Sequence, residues 1–148
     1  MRIPFAENFT DWGYAAGWQV VRAMPEPLAR GITGAGARYA ARGGGPEQLR
    51  KNLARVIGTT PADVPDSLML AALASYARYW KEAFRLPSMD LPTLAARLND
   101  VFIGAEHFAA AHAGGRAAEL ALPHSGNWDM AGAWLAQNYG NFTTVAAR

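Results

Sequence analysis

Apolar and polar positions alternate with helical spacing through the first ninety residues. Trp12, Ala15, Ala16, Val20 and Ala23 recur near helical spacing, with Trp18 and Val21 widening the arc. The spacing predicts a helix from about Thr10 to Met24, with Thr10 as N-cap and Asp11 at the positive helix start. Pro25 ends it, and Pro27 restarts a second helix running to about Arg42. Gly43, Gly44 and Gly45 break the pattern, and Pro46 suits the first position of a third helix to Ile57. Leu49, Leu53, Val56 and Ile57 should form its apolar face, leaving Arg50, Lys51 and Arg55 to solvent. Pro61 and Pro65 frame a short loop, after which Asp66 or Ser67 can cap the longest helix, to Arg85. Its two stripes, Leu68, Ala71, Ala72, Ser75, Tyr79, Glu82 and Ala83 beside Leu70, Leu73, Ala77, Trp80 and Phe84, predict burial on two sides.

Beyond Leu91 the texture changes. A short helix over Leu91–Leu98, a strand at Val101-Phe102-Ile103, and a helix over Glu106–Ala113 stopped by Gly114-Gly115 are expected. Ala117–Leu122 reads as a strand, although Glu119 fits only an edge or a strand end, or else needs a partner. Another helix runs to about Tyr139, Gly140 stops it, and Phe142–Val145 begins a further strand. The predicted fold class is α/β: a helical amino-terminal region followed by the start of a mainly parallel sheet with flanking helices. In such folds the site lies at the carboxyl ends of the strands.

Composition supports a globular chain. The 148 residues are 51% apolar and 18% charged, below the common value of about a quarter charged. Cysteine is absent, which excludes disulfides, thiol catalysis and Cys-ligated metal. Charge is uneven: Met1 to Thr59 holds eight Lys or Arg against four acids, and Thr60 to Arg148 six against eight. A basic, Trp-bearing front is compatible with an anionic lipid surface, with Trp12, Tyr14 and Trp18 at headgroup depth; packing against the protein, and a solvated basic face, are the alternatives. Tyr76, Tyr79, Trp80 and Phe84 can line a groove for an acyl chain or be plain core. Glu7 and Asp11 interrupt any signal-peptide core, and the longest uncharged stretch, Met130 to Ala147, is too polar for a bilayer span. The expectation is a soluble or peripheral protein. No nucleic-acid-binding module is recognisable, so no nucleic acid partner is expected.

The chemistry concentrates in Pro123-His124-Ser125-Gly126-Asn127-Trp128-Asp129. A histidine at a strand end, with a carboxylate five residues later in the first turn of a helix, reads as a general base and the acid that orients it. Unperturbed imidazole titrates near pH ~6.5, so the neutral base is available at neutral pH. Ser125 lacks the Gly-x-Ser-x-Gly surroundings of a nucleophile elbow. The backbone amides around Gly126 and Asn127 can hold an oxyanion or a donor phosphate, or can simply cap the helix, with Asn127 as N-cap. Trp128 is expected to pack. His107 and His112 are spaced i, i+5 with no acid pair to complete a set, so no metal site is expected.

The run His124 to Asp129 resembles the HSGNWD form of the His-x4-Asp motif in the lipid A biosynthesis acyltransferase family. Asp11–Trp18, Tyr39–Arg42, Gly45–Arg50, Tyr76–Trp80 and Glu82–Pro87 are similar to the branch that acylates phosphatidylinositol mannosides; only Leu91 to Ala118 match little. The resemblance implies transfer of a long-chain fatty acyl group, palmitoyl by expectation, to a mannose hydroxyl. The donor is acyl-CoA, a co-substrate with no further cofactor, and the place is the cytoplasmic face of the plasma membrane, bound peripherally. It implies His124 and Asp129 as catalytic residues and Ser125, Gly126 and Asn127 near the donor. Family members run to about twice this length, and the further half carries a catalytic glutamate, an arginine and much of the donor site. The chain is therefore expected to be a single, incomplete acyltransferase domain. Residues 1–87 would form a helical, membrane-proximal region and 88–148 the α/β part carrying the motif. A catalytically incomplete membrane-associated module and a thioester hydrolase are the competing readings.

Overall fold

The computed structural model describes residues 4–115, 117–123 and 125–144. Among them are seven α-helices: α1 Pro4–Ala23, α2 Glu26–Ala40, α3 Glu47–Ile57, α4 Asp66–Arg85, α5 Leu91–Asn99, α6 Ala105–Ala113 and α7 Trp128–Tyr139. The chain divides into two compact units, Met1–Arg85 and Leu86–Arg148. The first helix starts six residues before the expected cap, so Thr10 lies inside it. Pro4 at the helix start loses only an amide that has no helical partner there.

In the first unit α4 is the common partner, packing against α1, α2 and α3. The expected burial of its two stripes on two sides is not found: the buried residues of α4 are Met69 and Lys81, which belong to neither stripe, and Tyr76 and Trp80 are exposed. The α2 face turned inward is small: Ala29 and Ala37 are buried, which allows close approach. Charge then ties the elements together. Lys81, 8% exposed, donates to Glu26 Oε1 at 2.5 Å, and Arg85 Nε lies 3.4 Å from Glu26 Oε2. Arg85 Nη1 also donates to the carbonyls of Val21, at 3.0 Å, and Met24, occupying acceptors left over at the end of α1.

A second set of bonds fixes the turn between α2 and α3. Arg50 donates from Nε to Gly44 O at 2.9 Å, from Nη1 to Val64 O at 2.8 Å and from Nη2 to Asp66 Oδ1 at 2.7 Å. The expected solvated role of Arg50 is corrected accordingly: its side chain is only 16% exposed. A planar guanidinium spreads its donors over three nitrogens in a fixed fork, so it reaches these three separated acceptors at once. The expected α3 face also shifts. Ala54 is buried, while Val56 and Ile57 are exposed. Gly43, Gly44 and Gly45 all take positive φ, and a Cβ on Gly45 would stand 2.8 Å from Met69 Cγ.

In the second unit α5 packs on α7. Ala95, Trp134 and Leu135 form the core, with Leu98, Ala105, Phe108 and Tyr139 against it. Phe102 stacks on Trp134 at 4.1 Å between ring centroids. Asp90 caps α5 by accepting the Thr93 amide at 3.1 Å.

The expected α/β fold with a parallel sheet is not found: the described residues hold helices and no strand. Val101-Phe102-Ile103 is a turn leaving α5, with the Val101 amide bonded to Leu98 O. Residues 117–123 and 141–144 are irregular, and Val145 lies outside the described residues. A strand needs a neighbour to take its amides and carbonyls, and among the described residues these segments form no backbone ladder with one another. Leu120, Leu122 and Phe142 are accordingly exposed.

Two outcomes follow from these contacts. The Glu26 carboxyl titrates below its ordinary 4.5, chiefly through the Lys81 hydrogen bond and then the charges of Lys81, Arg85 and Arg30, against desolvation. Because the folded state lowers this value, the stabilisation is complete above 4.5 and is lost as the pH falls through the lowered value. Wild type should exceed Glu26→Gln in urea midpoint at pH 7, and the gap should narrow towards pH ~3; a constant gap would remove the ion pair as its origin. Gly45→Ala should cost roughly 2–4 kcal/mol through its backbone and Met69 together, against about 1–2 kcal/mol for Gly43→Ala, which meets open space. Equal losses in chemical denaturation would show that the Met69 contact does not matter.

Candidate active site

The motif joins an extended segment to α7. Residues 117–123 are exposed without a ladder partner, and His124 lies outside the described residues. On its far side the Ser125 amide donates to Pro123 O at 2.7 Å, closing the chain tightly before the helix. Gly126 has φ +68, and a Cβ there would meet nothing within 4 Å. The glycine is therefore needed for its backbone angle and not for space.

Asn127 is the N-cap of α7, as its sequence position predicts. Its Oδ1 accepts the Met130 amide at 3.1 Å, and its carbonyl accepts the Ala131 amide at 3.2 Å. Asp129 follows as the second residue of the helix and is half-buried. The first turn of a helix presents unpaired amides and a partial positive charge. Ser125 is exposed and Trp128, expected to pack, is 45% exposed. The described part of the motif thus places one carboxylate, one capping amide side chain and a left-handed glycine within five residues, on a helix anchored in the core by Trp134 and Leu135.

That anchor is a feature the sequence reading missed. The Trp134 indole N–H donates to Asn99 Oδ1 at 2.6 Å, joining the end of α5 to the middle of α7. A Trp within an apolar stripe carries a polar N–H that needs an acceptor when buried, which is the available signal; the acceptor's identity depends on packing. An open apolar hollow of about 380 Å³ adjoins the same region, lined in part by Phe102, Ile103, Phe108, Ala118, Leu120 and Trp134. Leu120 precedes His124 by four residues.

The two other histidines lie on α6, and His107 is among the residues lining the hollow. His107 is 87% exposed on its side chain and lies 3.7 Å from Glu106, while the His112 ring meets Tyr139 and Phe108. Among the described residues no group of three or more His, Cys, Asp or Glu converges as a metal site.

Comparison with known proteins places this geometry in a lineage. Over 147 residues the chain is 67% identical to a protein of Mycolicibacterium smegmatis named phosphatidylinositol mannoside acyltransferase. It is 63% identical to proteins of the same name from two strains of Mycobacterium tuberculosis. These matches cover 99% of this chain and 46 to 48% of each relative, so the chain spans about half the length of the curated relatives it matches. The family model described as bacterial lipid A biosynthesis acyltransferase matches residues 2–148. With nearly every residue inside that match, the chain belongs to the bacterial lipid A biosynthesis acyltransferase family.

Proposed function

We propose that the chain serves in acyl transfer, moving a long-chain fatty acyl group, palmitoyl in the first instance, from acyl-CoA to a mannose hydroxyl of a phosphatidylinositol mannoside. The observation that carries this reading is Asp129, held half-buried in the first turn of α7 behind the Asn127 cap and five residues after His124. The names of the relatives support acyl transfer and the acceptor class. In this mechanism neutral His124 removes the proton of the acceptor hydroxyl, while Asp129 accepts a hydrogen bond from the other ring nitrogen and steadies the imidazolium. The hydroxyl oxygen attacks the thioester carbonyl directly. Collapse of the tetrahedral intermediate breaks the carbon–sulfur bond, and the imidazolium returns its proton to the leaving thiolate. Amides at Gly126 and Asn127 are candidates for the developing oxyanion or a donor phosphate, with Ser125 beside them. No acyl-enzyme is required.

The same reading places the chain at the cytoplasmic face of the plasma membrane as a peripheral protein. No helix among the described residues is long and apolar enough to cross a membrane. Large apolar side chains are nonetheless exposed on the first two helices: Trp12, Trp18 and Val20 on α1, and Leu28, Ile32 and Tyr39 on α2. The side chain of Tyr14, grouped with Trp12 and Trp18 in the sequence reading, lies outside the described residues. Arg30 and Arg38 share α2, and Arg42 stands over the Tyr39 ring at 5.3 Å. Aromatic and aliphatic groups interleaved with arginines suit an anionic headgroup layer. Tyr76, Trp80 and Phe84 continue as a row on α4, joined by Trp18, with Tyr76 and Trp80 exposed. A membrane-associated module without transfer activity is the second reading, favoured by these surfaces.

Labelled palmitoyl-CoA incubated with the mannosylated lipid should give acylated lipid, and His124→Ala should lower the rate by about 10²–10⁴-fold. Lipid binding without transfer would favour the module, and release of free fatty acid without acceptor would mark a hydrolase. In sedimentation with vesicles, binding should rise with phosphatidylinositol content and weaken with salt. Trp12→Ala combined with Ile32→Ala should reduce it at least about threefold; binding indifferent to both changes would place the lipid contact elsewhere.

A further inference from the structure

We infer that Asn99 is a positioning residue for acyl transfer, holding Asp129 in place through the indole of Trp134; the inference rests on the acyl-transfer reading above. Asp129 and Trp134 share α7, five residues apart, so they are separated by about 7.5 Å along a rigid helix. Whatever sets the position of Trp134 therefore sets the position of the carboxylate.

Two contacts set it. The Phe102 ring stacks on the indole at 4.1 Å with an interplanar angle of 11°, which fixes the plane of the indole. The 2.6 Å bond from indole Nε1 to Asn99 Oδ1 fixes its direction within that plane. Trp134 is 3% exposed, so its N–H has been taken from water and depends on this acceptor. The rest of the α7 face makes apolar and ring contacts: Leu135 is buried beside Trp134, and Tyr139 meets Phe108 edge-on. Ala131, Gly132 and Ala133 are small, and the α5 residue buried against the helix is Ala95. Apolar contact between such residues has no preferred direction, whereas a hydrogen bond does. Asn99 itself is exposed at the last position of α5, and burial of its own side chain does not explain it. Catalysis is sensitive to this arrangement, since a displacement of about 1 Å at a reacting group can cost 10²-fold in rate.

The test uses Asn99→Leu, which removes the acceptor, Asn99→Asp, which keeps it, and Trp134→Phe, which removes the donor but keeps a ring for Phe102. Each is made in the full chain in the wild-type and the Asp129→Asn backgrounds, and steady-state acyl transfer is measured. Asn99→Leu and Trp134→Phe should each lower kcat about tenfold or more with KM unchanged, and Asn99→Asp should restore it. In the Asp129→Asn background the two losses should vanish, because the group being positioned is already gone. Equal losses in both backgrounds would overturn the inference and leave Asn99 a stability residue. Should Asn99→Leu fail to fold, Trp134→Phe decides by the same comparison. The carboxyl ¹³C resonance of Asp129 supplies a readout independent of turnover. It should move in Asn99→Leu and stay in Asn99→Asp, and an unmoved resonance would also overturn the inference. If wild type transfers no acyl group while that resonance behaves as stated, the acyl-transfer reading fails and the positioning of Asp129 stands.

Discussion

Each backbone amide and carbonyl taken from water must find a partner, and in this chain helical closure supplies nearly all of them. A helix meets the need within its own residues, so α1 to α7 form wherever caps and apolar periodicity permit. Its ends cannot be satisfied that way, and the side chains that matter most structurally stand there. Arg85 takes carbonyls at the end of α1, Asp90 and Asn127 cap α5 and α7, and Arg50 closes the glycine turn onto the start of α4. Segments that would need another segment's backbone instead, such as 117–123, stay irregular.

The first unit combines small inward residues with charged connections. Ala29 and Ala37 let α2 approach α4, and the approach brings Glu26 to Lys81 and Arg85. A buried lysine is tolerable only with such a partner, since an uncompensated charge would be expensive there. Several large apolar side chains are nonetheless exposed on α1, α2 and α4, although Met69 of α4 is fully buried. Exposed apolar groups in such number mark an interaction surface.

In the second unit a single bulky residue organises the helix that carries the motif. Trp134 gathers a ring stack, an edge contact with Tyr139 and a hydrogen bond to Asn99, while the turn ahead of it is built from Gly126 and Asn127. The carboxylate of Asp129 sits between these two constraints, close to the cap and on the same rigid rod as the anchor.

Much of this was legible without coordinates. Helix positions followed from periodicity and from proline and glycine punctuation, the Asn127 cap from its place before an apolar run, and the kinship from the His124 to Asp129 run with its flanking matches. These are short-range properties, in which residues within a turn of one another decide the outcome. The strands were misread for the complementary reason. An apolar run such as Ala117–Leu122 states only a willingness to pair, and whether a partner lies alongside depends on chain far away. The roles of Lys81, Arg50 and Asn99 were hidden likewise. A long polar side chain reads as solvated until packing brings Glu26, Val64 or Trp134 within reach of it. Local chemistry is written along the chain, whereas burial and partnership are settled by which distant residues meet, and only the tertiary structure decides that.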